Sequence, residues 1–377
     1  MFNYPETKKI YEITAIVPAY NEEDTVEDTI KSILNVDYPG LKEIIVVDDG
    51  STDNTWKIIQ GLAKKYEKVK AYTKENEGSK ACPLNFGLKK VKTEIVAVID
   101  ADSYPAVDSF RKMVGFFDEP NVGAVTCIFI PRNNKTFFER LQAVEYNIIA
   151  FTRKLLDYVD AIYVTPGPLA LYKKDALDKI GGFDKKNMTE DIEATWHLAY
   201  EGFHRRMCLS TSATTTVPKK IKPWYKQRRR WNIGGLQCIS KYKKCFFKKG
   251  MLGFFILPFF ILQLTLGLIG LSIFFYLMTT RIISNFLYTK YSVSVGTPLI
   301  TMNDFFITPS FLNYLGVILF IAGGLFTILV LYIINKDLLK KHNLFNVLFY
   351  LIVYLAVYPF IMISAIYNFL RGGASWR

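Results

Sequence analysis

The 377-residue chain has few of the side chains that usually bind transition metals or form disulfides. It contains 3 histidines and 5 cysteines, and no two cysteines form a CxxC pair. This spacing argues against structural zinc, and the odd number of cysteines suits a reducing compartment. The sequence also has no GxGxxG after its first predicted strand and no GxxxxGK[ST]. The usual phosphate-binding loops of dinucleotide oxidoreductases and P-loop enzymes are therefore excluded.

The amino-terminal sequence MFNYPETKKIYEI lacks the apolar run of a cleaved secretory signal. We therefore expect the globular part that follows to stay in the cytoplasm. The formal net charge of +13 is concentrated in residues 219–230 and 241–249, just before the first long apolar stretch. Basic residues in that position favour the cytoplasmic face of a lipid bilayer and its anionic head groups. No zinc-finger or helix-turn-helix spacing accompanies them, so nucleic acid is not an expected partner.

Charged residues are absent from three stretches near the carboxyl terminus, at residues 252–280, 305–335 and 343–370. Each exceeds the roughly 20 residues that a helix needs to cross a bilayer. We therefore expect a cytoplasmic globular domain over residues 1–249 and a transmembrane domain over residues 250–377, in a multi-pass protein of the cell membrane. Three crossings would leave the carboxyl terminus outside the cell, whereas one re-entrant segment would return it to the cytoplasm.

Short apolar runs alternate with amphipathic segments in the first part of the chain, at residues 13–18, 44–48 and 95–100. This alternation predicts an α/β fold with a mostly parallel sheet covered by helices on both faces. Ligands of such sheets bind beyond the carboxyl ends of the strands. Polar residues follow all three predicted strands, so we expect residues 18–22, the pair 48–49 and the segment 100–102 to meet in one crevice.

Two further expectations concern individual helices. Asn21 is expected to cap the helix that follows the first strand. Apolar residues between positions 137 and 155 recur at spacings of four and three, which is typical of one face of a long helix. That face is expected either to pack against the sheet or to lie on the membrane surface.

Acidic pairs close two of the predicted strands. Asp100 and Asp102 place two carboxylates at the mouth of the sheet, where Mg²⁺ or Mn²⁺ and a diphosphate could bind, although solvated loops also contain such pairs. Asp48 and Asp49 would accept hydrogen bonds from a nucleotide base or ribose, or else cap a turn. Lys80 would either reach the donor phosphates as a point charge or extend into solvent.

Two later segments contain further candidate functional residues. Thr189-Glu190-Asp191 begins a predicted helix, where carboxylates favour the helix dipole and where one of them would also suit a base that deprotonates a hydroxyl. The sequence QRRRW at residues 227–231, with Trp224 upstream, is either a lipid-facing basic cluster or a surface that stacks on a sugar and clamps a diphosphate.

Read in order, VPAYNEE at 17–23, VVDDGS at 46–51, DAD at 100–102, TED at 189–191 and QRRRW at 227–231 resemble the family 2 glycosyltransferases. They look most like the processive branch that includes hyaluronan, cellulose and poly-N-acetylglucosamine synthases. The resemblance implies a GT-A fold, followed by a carboxyl-terminal bundle of about three transmembrane helices, and it assigns roles to individual residues. Those expected to bind the nucleotide sugar are Pro18, Ala19, Tyr20, Glu22, Asp48, Asp49, Lys80, Asp100 and Ala101.

The same resemblance makes Asp100 and Asp102 the ligands of Mg²⁺ or Mn²⁺, and Asp191, beside Glu190, the general base. It places five residues beside the acceptor and the diphosphate: Gly167, Pro168, Gln227, Arg230 and Trp231. The implied reaction is an inverting transfer of a sugar from a nucleoside diphosphate, expected to be UDP, to an acceptor hydroxyl. The acceptor is either a growing polysaccharide or a lipid-linked molecule to which one sugar is added. A non-catalytic membrane scaffold is the third alternative.

Overall fold

The computed structural model of the chain describes residues 1–296, 311–334 and 344–372. Parts of the two later apolar stretches, at 305–310, 335 and 343, lie outside the described residues. The carboxyl terminus also lies outside the described residues. The two predicted topologies differ in the side of the membrane on which they place it.

The strands that the structure describes are β1 Ile13–Ala19, β2 Leu41–Asp48, β3 Val69–Thr73, β4 Ile95–Val98, β5 Ser103–Pro105, β6 Val122–Pro131, β7 Ala170–Lys173 and β8 His204–Thr215. They form one sheet at the centre of the first part of the chain, in the order β3-β2-β1-β4-β7-β6-β8-β5. The strands β1, β2, β3 and β4 pair in parallel, and β6 is parallel to β8. Strand β7 runs antiparallel between β4 and β6, and β5 is antiparallel to β8. The sheet is therefore mixed, with parallel pairings in the majority, as predicted.

Helices cover both faces of this sheet. Alternate residues of β1 enter different cores, because Ala15 and Val17 belong to one apolar cluster while Ile16 belongs to another. Period-two alternation with apolar residues on both faces is what a fully buried strand requires. The helices of this part are α1 Val26–Leu34, α2 Thr55–Lys65, α3 Ala81–Leu88, α4 Ser109–Val114, α5 Phe137–Tyr158, α6 Lys174–Lys179, α7 Glu190–Tyr200 and α8 Ile221–Tyr242.

The predicted cap of the first helix is wrong. Helix α1 begins at Val26, five residues after Asn21. Asn21 instead has a left-handed backbone with φ of 54°, and its side-chain oxygen accepts a hydrogen bond from the Thr52 amide at 2.8 Å. Asparagine tolerates this conformation better than most residues do. Asn21 therefore ties the turn after β1 to the turn after β2.

Helix α5 packs against more than the sheet. It contacts β6 and β8 on one side and the carboxyl-terminal helices on the other. Leu141 and Val144 belong to one apolar cluster with Leu331 and Val347 of those helices. Phe137 and Ile148 pack against the same cluster, and the Phe151 ring lies 5.9 Å from the ring of Phe326 in those helices. The predicted apolar face of α5 therefore packs on the apolar helices, and the expectation that this face packs against the sheet is wrong. Other residues of α5 contact the sheet, so the helix lies between the two.

Among the residues that the structure describes, three helical segments are long and apolar enough to cross a membrane: Leu252–Val295, Tyr314–Ile334 and Phe345–Leu370. The first continues well beyond the predicted end at residue 280. Its helix α9 spans Leu257–Val295, and it is followed by α10 Phe311–Ile334, α11 Leu344–Phe349 and α12 Tyr358–Leu370. Turns at Tyr350–Tyr354 and Leu355–Val357 join α11 to α12. Many large apolar side chains on these helices are exposed, as a lipid-facing surface requires.

Candidate active site

A cavity of about 660 Å³ lies at the carboxyl edge of the sheet, between α5, α7, α8 and the apolar helices. It brings together segments that are far apart in the sequence. Ten of the predicted site residues line it: Lys80, Asp100, Asp102, Gly167, Pro168, Glu190, Asp191, Gln227, Arg230 and Trp231. Of the three segments that we expected to meet in one crevice, only residues 100–102 contribute to the lining of this cavity. The acidic pair shares the cavity instead with the candidate base and with three side chains of the QRRRW segment.

The other predicted residues lie beside this cavity, at the carboxyl ends of β1, β2 and β4, and do not line it: Pro18, Ala19, Tyr20, Glu22, Asp48, Asp49 and Ala101. Glu22 lies within electrostatic reach of the acidic pair. Burial, reinforced by repulsion from Asp102 and Asp100, raises the pKa of Glu22 to about 7, although a hydrogen bond from Thr25 opposes the shift. The turn after β1 is thus adjacent to the acidic pair.

Asp48 and Asp49, at the end of β2, differ in their ion-pair and hydrogen-bond partners. Asp49 pairs with Lys74, whose Nζ lies 3.1 Å from its Oδ1. Asp48 is 2% exposed, and its Oδ2 accepts a hydrogen bond from the Thr73 hydroxyl at 2.9 Å. Its other oxygen, Oδ1, is buried without a hydrogen-bond partner among the residues that the structure describes. A ligand N–H or O–H would satisfy that oxygen. The turn-capping alternative applies to Asp48 Oδ2, which also accepts from the Ser51 amide at 3.4 Å, and to Asp53, which accepts from the Thr55 amide at 3.0 Å.

Lys80 does not extend into solvent. Its Nζ contacts the carboxylate of Asp100 and lies 3.0 Å from Glu190 Oε1. Burial by itself would lower the pKa of Lys80, but the negative charges of Asp100 and Glu190 raise this pKa well above its usual value. Gly167 permits this approach, because a Cβ there would lie 2.6 Å from both Asp100 Oδ1 and Lys80 Nζ. The lysine therefore joins the acidic pair to the start of α7.

The pair Asp100 and Asp102 fits a divalent ion that binds together with a diphosphate. Burial, followed by repulsion from Asp100, raises the pKa of Asp102 to about 6. Within the described ranges, no group of three or more histidine, cysteine or acidic side chains could hold a metal by itself. Mg²⁺ and Mn²⁺ commonly bind through one or two carboxylates and complete their shells with phosphate oxygens and water. A cation between the two carboxylates would relieve their repulsion.

The two acidic residues at the start of α7 have opposite pKa shifts. Burial, followed by repulsion from Glu190, raises the pKa of Asp191 to about 6. Burial by itself would raise the pKa of Glu190, but the positive charges of Lys80 and Arg230 lower this pKa below its usual value. Neighbouring carboxylates whose environments separate their pKa values in this way suit different roles. Asp191 is therefore the better candidate for a base, and Glu190 is a charge partner of Lys80.

The QRRRW segment lies in the middle of α8, and its side chains go to different places. Gln227, Arg230 and Trp231 line the cavity, whereas Arg228 is buried and pairs with Glu145 of α5. A lipid-facing cluster does not describe this arrangement. The predicted sugar-stacking role of Trp224 is wrong, because this residue is 1% exposed and packs on Phe138 and Tyr354, at ring distances of 5.6 and 4.9 Å.

Sequence reasoning missed one wall of the cavity. Helix α5 contributes Glu145, Tyr146 and Arg153, and Tyr163 follows them in the chain. The available signal was the presence of charged residues within an otherwise apolar helical pattern, but periodicity alone does not show which cavity they face. The apolar helices contribute Phe260, Gln263, Leu264, Tyr350, Leu355, Tyr358 and Met362.

Comparison with known proteins gives consistent matches. The sequence profile of the family "Glycosyl transferase family 2" matches residues 14–181. The poly-beta-1,6-N-acetyl-D-glucosamine synthase of Staphylococcus epidermidis is 33% identical over 293 residues, covering 77% of this chain and 71% of that protein. The synthase of the same name from Staphylococcus aureus strain MSSA476 is 32% identical over 231 residues, covering 61% and 56% of the two chains.

Among solved structures, the mannosyltransferase PcManGT from Pyrobaculum calidifontis, in complex with GDP-Man and Mn²⁺, matches with a TM-score of 0.52 and 24% identity. The match covers 78% of this chain and 85% of that one. It supports the predicted GT-A fold. Together with the apolar helices, these relatives identify the protein as a glycosyltransferase of the membrane. The chain therefore belongs to glycosyl transferase family 2, in the processive branch that includes the poly-N-acetylglucosamine synthases.

Proposed function

We propose that the protein transfers N-acetylglucosamine from UDP-N-acetylglucosamine to a hydroxyl group of a growing glycan at the membrane. The observation that carries this proposal is the single cavity that contains the acidic pair, Asp191 and three side chains of the QRRRW segment. The relatives named poly-beta-1,6-N-acetyl-D-glucosamine synthase support the choice of sugar.

The donor end would lie at the carboxyl ends of β1, β2 and β4. Asp48 Oδ1, buried without a partner among the described residues, would accept a hydrogen bond from the nucleoside, next to Asp49 and residues 18–22. Lys80 and Arg230 would meet the diphosphate, since both line the cavity. Asp100 and Asp102 would hold Mg²⁺ or Mn²⁺, which would supply positive charge to the departing diphosphate.

The reaction would be a single in-line displacement. Asp191 would take the proton of the acceptor hydroxyl while that oxygen forms a bond to the anomeric carbon of the donor sugar. The bond from that carbon to the diphosphate breaks, and the nucleoside diphosphate leaves with the electron pair. Attack from the side opposite the leaving group inverts the anomeric carbon. A positioned base of this kind contributes about 10²–10⁴-fold to the rate.

We further propose that residues 1–249 face the cytoplasm, where nucleotide sugars are made, and that residues 250–377 anchor the protein in several passes. The basic residues before α9 support this orientation. The cavity is lined both by acidic residues of the sheet edge and by Phe260, Leu264 and Met362 of the apolar helices. An acceptor in this cavity would therefore touch both parts of the protein.

The same apolar lining favours a second candidate function, the addition of one sugar to a lipid-linked acceptor. Sizing the product separates the two. Full-length protein in lipid nanodiscs would be incubated with labelled UDP-N-acetylglucosamine, UDP-glucose or GDP-mannose, with and without short β-1,6-linked N-acetylglucosamine oligosaccharides. A ladder of products from UDP-N-acetylglucosamine would support the first function. A lipid-extractable product carrying one sugar would support the second, and transfer from another donor only would reject the proposed sugar.

A further inference from the structure

One wall of the cavity contains a buried cation that has no role in the reaction proposed above. Arg153 of α5 is 5% exposed and lines the cavity. Its Nη1 is buried without a hydrogen-bond partner within the part of the chain that the structure describes. Its guanidinium carbon lies 5.6 Å from the centre of the Phe129 ring, which also lines the cavity.

Two other arginines are buried as deeply, and the protein satisfies both of them. Arg228 forms an ion pair with Glu145. Arg205 donates hydrogen bonds of 2.8 to 3.2 Å to the backbone carbonyls of Asp160, Ile162 and Phe203. The protein therefore provides oxygen atoms for a buried guanidinium where no ligand is expected. Arg153, which faces the cavity, has no such set of acceptors among the residues that the structure describes.

Leaving a buried donor without an acceptor costs free energy, and the cost is larger for a charged group. Burial also lowers the pKa of Arg153. A residue of this kind in a cavity wall is explained if a molecule that enters the cavity supplies the missing oxygen atoms. The position of Arg153 in the cavity decides which molecule that is.

The surroundings of Arg153 belong to the acceptor end. Asp191, the proposed base, is among the charged groups that act on its guanidinium. The rings of Phe129, Tyr146 and Tyr163 line the cavity with it. Aromatic rings pack against the C–H faces of sugars, and a guanidinium donates to their oxygen atoms. Acidic side chains already outnumber basic ones in the lining, five to three, so an uncharged acceptor fits better than an anionic one.

We propose that Arg153 binds oxygen atoms of the acceptor sugar and thereby sets the position of its reactive hydroxyl relative to Asp191. This inference rests on the proposed function, because it assumes a sugar acceptor. It makes Arg153 a residue that contacts substrate, on a helix that no motif identifies.

The first test needs no substrate. The variants Arg153→Met and Arg205→Met would be made in the full-length protein, and their melting temperatures measured in nanodiscs. Arg205→Met removes satisfied hydrogen bonds and should lower the melting temperature by several degrees. Arg153→Met removes a donor that has no acceptor in the described part of the chain, so the melting temperature of this variant should equal or exceed that of the wild type. A loss as large as that of Arg205→Met would overturn the proposal.

The second test uses the donor and the oligosaccharide acceptor for which the wild type shows transfer. Hydrogen bonds to a charged group contribute about 1.5–3 kcal/mol, which corresponds to a rise in the acceptor KM of about 10- to 150-fold in Arg153→Met. Arg153→Lys keeps the positive charge but loses the planar guanidinium with its several N–H donors. The acceptor KM of this variant should therefore lie between those of the wild type and Arg153→Met. The donor KM and the affinity for UDP should change less than twofold in both variants.

An unchanged acceptor KM in Arg153→Met, or an equal loss of affinity for UDP, would reject the acceptor role. Failure of the proposed function is a separate result. If the wild type transfers no sugar to any glycan, the proposed function fails. The melting temperatures still show whether Arg153 has stabilising hydrogen-bond acceptors within the protein.

Discussion

Glu145 Oε2 lies 2.5 Å from Arg228 Nη2, and both side chains are buried where α5, α8 and the last apolar segment meet. Tyr354 of that segment donates to the same carboxylate at 2.7 Å. Arg228 also donates to Gln227 Oε1 at 2.7 Å, and its guanidinium carbon lies 4.0 Å from the centre of the Trp231 ring. This ion pair therefore connects two cavity-lining side chains of the QRRRW segment to the membrane part of the protein.

Replacing Glu145 with Gln should reduce both stability and activity. Breaking a buried ion pair leaves an uncompensated charge and costs about 3–5 kcal/mol. Because Arg228 orients Gln227 and Trp231, the acceptor KM should rise as well. Melting temperature and acceptor kinetics in nanodiscs measure the two effects.

Asp157→Asn is a matched control for this change. Asp157 lies in the same helix and is buried, and its Oδ2 lies 2.6 Å from Lys154 Nζ, but it does not line the cavity. Asp157→Asn should lower the melting temperature and leave the acceptor KM near that of the wild type. Equal changes of KM in the two variants would show that Glu145 acts only through stability.

The rate of sugar transfer should depend on pH through Asp191. Burial, with repulsion from Glu190, raises the pKa of this carboxyl to about 6. A base must be deprotonated, so kcat/KM should be constant above that pH and fall about tenfold per unit below it. A pH profile at saturating Mg²⁺ measures this dependence. A rate that stays constant from pH 7 down to pH 5 would be inconsistent with this assignment.

Asp191→Asn tests the same residue without a change of pH. The amide keeps the shape of the side chain but cannot accept the acceptor proton, so transfer should fall by about 10²–10⁴-fold. Titration calorimetry with UDP should still show binding, within about threefold of the wild type. Full activity in this variant would exclude Asp191 as the base, and absence of transfer in both proteins would favour the non-catalytic scaffold.

Removal of divalent ions should stop the reaction, because Asp100 and Asp102 would hold the ion that neutralises the diphosphate. EDTA should abolish transfer, and Mn²⁺ or Mg²⁺ should restore it. Electron paramagnetic resonance of Mn²⁺ in the presence of UDP should show weaker binding by Asp102→Asn. Asp53→Asn, which changes a turn carboxylate, should bind Mn²⁺ as the wild type does. Equal Mn²⁺ binding by all three proteins would place the metal elsewhere.

Gly167→Ala should disrupt the acidic end of the cavity. The added Cβ would lie 2.6 Å from Asp100 Oδ1 and from Lys80 Nζ, which is closer than such atoms pack. We expect a loss of at least tenfold in donor affinity, measured by calorimetry with UDP-N-acetylglucosamine. Gly61→Ala is the control, because a Cβ there has no atom within 4 Å and alanine favours a helix. Unchanged donor affinity in Gly167→Ala would show that the donor does not bind at this part of the cavity.

Local patterns predicted the core strands and the apolar helices well. The runs at 13–18 and 44–48 lie within β1 and β2, because a strand that is buried on both faces must be apolar throughout. The prediction for Asn21 was wrong for a related reason. A side chain that can cap a helix can equally hold a left-handed turn, and only the position of Thr52 decides between the two.

The directions of the side chains in the QRRRW segment could not be predicted from the local sequence. Its five letters indicate one motif, but Arg228 turns into the protein while Arg230 faces the cavity. Helical spacing separates these two directions only when the neighbours of α8 are known. Glu145, 83 residues earlier in the chain, supplies the partner that makes burial of Arg228 possible.

The sequence by itself determined the alternating sheet and helices, the three apolar segments and the acidic residues at the ends of the strands. These depend on hydrophobicity and short-range periodicity, which are properties of neighbouring residues. Only the tertiary structure decided that Lys80 joins Asp100 to Glu190, that Asp191 has a raised pKa, and that Arg153 is buried without a partner in the described chain. Burial and charge at these positions come from segments distant in sequence, so no local pattern contains them.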